Sequence, residues 1–224
     1  MKRAVSLWAA LALLPLAALA GCADGERRPK EIVAHAAMAL PNGSAQDWVT
    51  YGDHLVRFRA VSEFRGPAAE EEIKRQEGLR LRHLRMEIGE VLWTRPSLVK
   101  RSSLPRSMTI EDGGWIFHGD EEIPLRIEGQ PKIEVGMDYL GVMTYAALGA
   151  NGKANWLILA HIPFVNGTAK LPSDGPVTQG FSRVAGKSVG QVAGIFDVET
   201  PDPAARSYMS DDPQARYNKV AARR

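Results

Sequence analysis

The chain has 224 residues, of which 45% are hydrophobic and 24% charged, with a formal net charge of +2 and one cysteine. This length and apolar fraction suit one domain with a buried core and exclude a wholly disordered chain. A single cysteine excludes an intramolecular disulfide framework and an all-cysteine metal site.

The N-terminus has the pattern of an export signal. Lys2 and Arg3 precede an apolar run, Ala4–Ala20, which contains a proline at Pro15. A cationic start, a short apolar segment and small residues before a cleavage point are typical of a secretory signal. The run, about 17 residues, is at the lower limit for a membrane-spanning helix, and its proline disfavours one. We therefore predict that residues 1–21 are a signal peptide.

The end of this segment, Leu19-Ala20-Gly21-Cys22, resembles the lipobox of bacterial lipoproteins. The resemblance implies that Cys22 receives a diacylglyceryl thioether and becomes the first residue of the mature chain. Because two acyl chains hold a protein stably on a bilayer, we expect a lipid-anchored domain on the extracytoplasmic face of the cell membrane. The alternative is an ordinary cleaved signal or a retained anchor, in which Cys22 takes no part.

Cleavage before Cys22 would also remove the apparent basicity. Lys2 and Arg3 are two of the 28 basic residues, so 26 remain against 26 acidic residues. A formally neutral domain has no long-range field of one sign, so we expect no nucleic-acid partner.

The first elements of the mature chain follow a tether and lead-in at residues 22–43. Ser44 and Asp47 resemble the capping pair of a short helix. Residues 54–64 then alternate as a half-buried strand, with Val56, Phe58, Ala60 and Phe64 on one face. Residues 66–78 fit a short exposed helix or a loop equally well.

A second long strand is predicted at Leu79–Trp93. Leu79 and Leu81 share one phase, whereas Leu84, Met86 and Ile88 share the other. A phase change near His83 indicates a β-bulge or a barrel corner, which places the arginines at 80, 82 and 85 outward or near that bend.

Several short strands follow, and Asn166-Gly167 between the last two is a strong signal for a tight hairpin. The predicted strands are Ser107–Ile110, Gly114–His118, Ile123–Ile127, Tyr139–Ala147, Trp156–Ala160, Ile162–Val165 and Thr168–Leu171. Many short strands separated by turns favour a mainly β fold, either a sandwich or a small OB-fold-like barrel, over residues 44–175.

The C-terminal residues 176–224 change from strand to helix patterns. Ser188 and Gln191 resemble a capping box, and apolar residues follow at helical spacing. Asp212 and Pro213 are typical of the start of a second helix. We predict a short helical appendage.

Four phrases along the β region, within about residues 48–171, carry a second resemblance. They are Tyr51-Gly52-Asp53-His54-Leu55-Val56, Gly89-Glu90-Val91-Leu92-Trp93, Glu134-Val135-Gly136-Met137-Asp138-Tyr139-Leu140 and Pro163-Phe164-Val165-Asn166-Gly167. Together they resemble exported bacterial modules of the netrin-like, OB-fold type. The resemblance implies a barrel but no activity. Family members that inhibit metalloproteases use a free N-terminal cysteine, whereas Cys22 is expected to be lipidated here.

Motifs for catalysis are scarce in the sequence. The five histidines are scattered, and neither a nucleophile elbow, a P-loop nor a dinucleotide fingerprint is present. The acidic residues at 111–112 and 120–122 lack the alternating ligands of a calcium loop. We therefore predict no enzyme activity, no bound metal and no cofactor.

The aromatic residues Trp115, Phe117 and Trp156 are the candidate binding face. Three functions remain open at this point. The first is a binding or structural module for an envelope protein or peptide, which predicts an apolar patch or an uncovered strand edge. The second is a small-ligand or glycan-binding barrel with two or more tryptophans in one pocket. The third is a hydrolase, which needs histidines or carboxylates such as His54, His118 and His161 to converge.

Overall fold

A computed structural model of the chain describes residues 31–34, 40–98, 103–128, 130–147, 154–173 and 177–223. The predicted signal peptide, Cys22 and most of the tether lie outside these residues. The described residues form one mixed β-sheet with helices packed against it, so the expectation of a mainly β fold with C-terminal helices is confirmed.

Eight strands form the sheet in the order β1-β5-β4-β3-β2-β6-β7-β8. They are β1 (Ile32–Ala34), β2 (His54–Arg65), β3 (Glu77–Thr94), β4 (Ser107–His118), β5 (Glu121–Ile127), β6 (Asp138–Ala146), β7 (Asn155–Val165) and β8 (Thr168–Ala169). Neighbours are antiparallel except for the β1–β5 pair. Within the described ranges β1 and β8 are the two ends of the sheet, and no ladder joins them.

The helices begin where their sequences supply a cap. They are α1 (Ala45–Tyr51), α2 (Glu70–Arg75), α3 (Gln179–Val184), α4 (Val189–Val198) and α5 (Pro213–Ala221), with a 3₁₀ helix at Pro203–Tyr208. Ser44 and Asp47 form the predicted capping box, with both side-chain-to-backbone bonds at 3.0 Å. The predicted capping box at Ser188 and the predicted cap at Asp212 are also present. Each of these side chains accepts a hydrogen bond from a backbone N–H of the first helical turn.

Register shifts interrupt the ladders between the long strands. Between β3 and β4, Leu81 pairs with Gly114 but His83 pairs with Glu111, so the register shifts opposite Arg82. Between β2 and β3, the register shifts after Ala60. Bulges of this kind increase the local bend and twist of a sheet. The predicted phase change near His83 is therefore confirmed as a bulge.

The second shift explains a wrong prediction. Phe64 was expected to share the buried face of Val56 and Phe58, but the extra residue after Ala60 changes the phase of the strand. Phe64 is 51% exposed, and its ring stacks on that of His83 at a centroid distance of 5.1 Å.

Two hydrophobic cores lie on opposite faces of the sheet. In the first, Trp48 of α1 is fully buried against Phe181 of α3 and Phe196 of α4. Phe196 also packs on Trp93 of β3, and side chains of β6 and β7 belong to the same core, so the C-terminal segment that was predicted as an appendage shares a core with the sheet. The second core surrounds Phe58 and Tyr139, whose rings stack at 5.3 Å.

The turn at Asn166 and Gly167 is the predicted hairpin. Their φ angles are 51° and 77°, and Val165 pairs with Thr168 across the turn. Positive φ at both central residues is what a two-residue type I′ turn requires.

We expect Gly167→Val to lower the free energy of unfolding by about 1–3 kcal/mol, because a β-branched residue is strained at positive φ. A Cβ at Gly167 would meet no atom within 4 Å, so the substitution tests the cost of the backbone conformation and not a steric clash. Gly190→Ala in α4 is the matched control, since its Cβ also enters open space and alanine favours a helix. Thermal melts in which both variants match the original chain would contradict the hairpin assignment.

Candidate functional site

The curved sheet leaves a cleft of about 590 Å³ between β4 and β7. Met108 and Ile110 of β4 and Trp156 and Ile158 of β7 pack against the second core, so the two strands approach it from opposite sides. The lining also includes Glu111, Asp112, Ile133, Asn155, Leu157 and His161. The cleft therefore has an apolar floor and polar residues at its rim.

Strand edges form the two long sides of this cleft. Residues 107–111 pair with β3 on one side, residues 112 and 113 form the bulge, and pairing with β5 begins only at Gly114. On the opposite side, β7 pairs with β6 along its length but with β8 only at Phe164 and Val165. Within the part of the chain that the structure describes, both edges beside the cleft thus lack a strand partner.

One end of the cleft is closed by the chain before β6. The ring Nε2 of His161 lies 2.6 Å from the carbonyl oxygen of Pro131 on the β7 side. On the β4 side, the backbone N–H of Ile133 donates to Asp112 at 3.2 Å. The next residue, Glu134, donates its N–H to the hydroxyl oxygen of Tyr139 at 2.7 Å. Burial raises the pKa of this tyrosine above its usual value, against the opposing effect of that hydrogen bond.

A buried arginine fixes this crossing segment. The side chain of Arg82 is 5% exposed and donates to Asp112 at 2.8 Å, to Glu63 at 2.8 Å and to the carbonyl oxygen of Ile133 at 2.7 Å. The guanidinium fits such a site because its planar donors point in several fixed directions. Arg82 was expected to lie outward or near the bend. It is at the bend, but it points inward, because the bulge on β4 brings Asp112 opposite it.

Aromatic residues form the other end of the cleft. The Trp156 ring lies 5.5 Å from that of His54 and 5.3 Å from that of Tyr145, and its Nε1 donates to the carbonyl oxygen of Ser103 at 3.2 Å. Burial is the main cause that lowers the pKa of His54 below 6.5, so its imidazole is neutral at neutral pH. This end is therefore aromatic, and its imidazole carries no charge at neutral pH.

The structure places the three predicted binding residues in different surroundings. Trp156 lines the cleft, whereas Trp115 lines a neighbouring cavity of about 70 Å³ and lies 5.0 Å beneath the guanidinium of Arg65. Phe117 is buried beneath Arg80 at the same distance. Of the predicted face, only Trp156 is thus at the cleft.

The residues that sequence reasoning missed are those of β4, above all Met108, Ile110 and Asp112. The signal available was the adjacent pair Gly113-Gly114, since glycines within a strand often mark a bulge. A Cβ at Gly113 would lie 2.5 Å from the carbonyl oxygen of Leu125, so a larger residue cannot fit there without a shift.

The charged side chains that line the cleft in the described ranges are Glu111 and Asp112. Asp112 already accepts hydrogen bonds from Arg82 and Ile133, while Glu111 is exposed. Searched over those same ranges, the chain brings no three metal-binding side chains together. An apolar floor with one free carboxylate and two strand edges is suited to binding.

Comparison with protein-family models, with curated protein sequences and with solved structures found no significant match for this chain. Among the helices that the structure describes, none has the length and apolar character needed to cross a membrane.

We expect Arg82→Met to lower the free energy of unfolding by about 3 kcal/mol, because it leaves the Asp112 carboxylate, which is 11% exposed, without its cation. Arg85→Met is the matched control on the same strand. Arg85 is exposed, so its loss should change stability by less than about 0.5 kcal/mol. Urea denaturation followed by circular dichroism measures both, and equal losses would show that Arg82 does not organise the bend.

Proposed function

We propose that this chain is a lipid-anchored, non-enzymatic binding module on the extracytoplasmic face of a bacterial cell membrane, and that the β4–β7 cleft is its binding site. The lipobox-like sequence ending at Cys22 supports the anchor. The partner would be another component of the cell envelope.

The observation that carries the binding role is the cleft itself. Its floor is formed by apolar side chains of the second core, and its long sides are strand edges. Concave sites with an apolar lining and a few polar groups are the usual form of binding sites in proteins. The uncovered strand edges are also the feature expected of a protein- or peptide-binding module.

An OB-fold-type barrel, which the netrin-like resemblance implies, belongs to the same proposal. The sheet curves so that β4 and β7 flank one core, and an occupant of the cleft would lie where a closed barrel has its remaining strand contact. The alternative function, glycan or small-ligand binding, is favoured by the Trp156 ring at the cleft. Trp156 is the one tryptophan among the described lining residues, whereas that alternative predicted two or more.

The anchor is tested by Cys22→Ala. Without the thiol there is no nucleophile for diacylglyceryl transfer, so the variant should incorporate no labelled fatty acid. Metabolic labelling followed by detergent phase partitioning measures this. Lipid incorporation equal to that of the original chain would remove the anchor from the proposal.

Occupancy of the cleft is tested with a second cysteine. Cys22 is the only cysteine in the sequence, and acylation would consume its thiol, so a cysteine introduced at the exposed Asn155 is the only thiol left to react. A maleimide that cannot cross membranes should label Asn155→Cys several-fold more slowly on intact spheroplasts than on the purified protein, because a bound partner covers the cleft.

Glu71→Cys on α2 is the control, since Glu71 is exposed and does not line the cleft. Its labelling rate should be the same in both preparations. Equal rates for Asn155→Cys in both preparations would contradict an occupied cleft, and no labelling of Glu71→Cys on spheroplasts would contradict an extracytoplasmic location.

A further inference from the structure

We propose that the occupant of the cleft is an extended peptide segment that pairs with β4 and β7 as an added strand. This inference rests on the proposed function of the cleft as the binding site, and it names the chemical class of the ligand.

The main-chain groups give the first argument. Residues 108–112 on β4 and 155–158 on β7 both line the cleft, and in the described ranges neither segment has a strand on that side. The N–H and C=O groups of such edges are unpaired at regular spacing. An extended backbone presents donors and acceptors at the same spacing on both of its edges, so one peptide can pair with both strands at once.

The side chains give the second argument. Met108 and Ile110 are two residues apart on β4, as are Trp156 and Ile158 on β7, and all four face the second core. Because side chains alternate between faces along a strand, a peptide between them would direct every second side chain onto the same apolar floor. Methionine adapts its shape readily, so Met108 can accept several apolar partners.

The charges give the third argument. Asp112 and the partly exposed Glu63 share the single positive charge of Arg82, and the exposed Glu111 lies on the next position of β4. Both charged side chains that line the cleft in the described ranges are therefore carboxylates, and Glu111 is the one that Arg82 does not contact. A carboxylate at this position favours a peptide with lysine or arginine on the side that faces away from the core.

The length of the segment follows from the ends of the cleft. The Trp156 indole bonded to Ser103 closes one end, and the chain at Pro131 and Ile133 closes the other. On β7 the consecutive residues that line the cleft are Asn155–Ile158, so the paired part of the peptide is about four residues long.

The test starts from random nine-residue peptides displayed on phage and selected against the full chain in detergent micelles. Synthetic copies of the selected peptides are then titrated against the original chain, Glu111→Lys and the control Glu71→Lys, with tryptophan fluorescence as the readout. Both substitutions are at exposed positions and should leave the fold intact.

We expect peptides with alternating apolar residues and at least one basic residue. Their affinity should fall at least ten-fold for Glu111→Lys and change less than two-fold for Glu71→Lys. Methylation of one backbone nitrogen in the central residues should also weaken binding at least ten-fold, since it removes a ladder hydrogen bond that a side-chain-only contact would not need.

Peptides that bind equally well after N-methylation or to Glu111→Lys would overturn the inference, as would a selection that yields no binder. A glycan or an apolar small molecule that protects Asn155→Cys from the maleimide, where no peptide does, would also overturn it while leaving the proposed binding role in place. Failure of the binding role itself is a different result, namely equal labelling of Asn155→Cys on cells and on the purified protein.

Discussion

The guanidinium of Arg82 joins three parts of the chain that are distant in sequence. It binds Glu63 near the end of β2, Asp112 in the bulge of β4 and the carbonyl oxygen of Ile133 before β6. A cation that is nearly excluded from water must be paired in this way, since an unpaired buried charge is very unfavourable. The bend of β3 and the position of the crossing segment both depend on this arrangement, and together they set one end of the cleft.

The opposite face of the sheet is held by the C-terminal helices. Arg216 of α5 is fully buried and donates to carbonyl oxygens at Thr50, Tyr208, Met209 and Asp211. These bonds attach α5 and the 3₁₀ helix to the end of α1, which itself packs on the first core. A buried ion pair joins Arg95, which follows β3, to Asp53, which precedes β2. The guanidinium Nη2 of Arg95 lies 2.5 Å from the carboxylate Oδ1 of Asp53. The helices thereby stabilise the face of the sheet that lies opposite the cleft.

Local signals in the sequence were sufficient for the long strands, the tight turn and three of the helices, whereas β1, α3 and the 3₁₀ helix were not predicted. The alternation in β2 and β3, the caps at Ser44, Ser188 and Asp212, and the Asn166 turn depend on residues within a few positions of one another. Strands that were predicted as separate pieces are continuous in β4 and β7, because a bulge interrupts the alternation without ending the strand.

The cleft could not be predicted in the same way. It depends on how β4 and β7, which are separated in the sheet by β3, β2 and β6, curve around one core, and no local pattern encodes that distance. Trp115 and Trp156 are both aromatic residues on predicted strands, so the sequence does not distinguish them. The tertiary structure places Trp156 at the cleft and Trp115 at the neighbouring cavity. An arginine such as Arg82 is exposed in most proteins, so its inward position could be recognised only from partners that lie about 20 to 50 residues away in the sequence.

Amide hydrogen exchange of the purified chain, free of any partner, tests the open cleft most directly. We expect about half of the amides in 107–113 and 155–158 to exchange orders of magnitude faster than those in the centre of β2, which is paired on both sides. Uniform protection of both segments, equal to that of β2, would show that β4 and β7 are already paired at the cleft and would contradict the account.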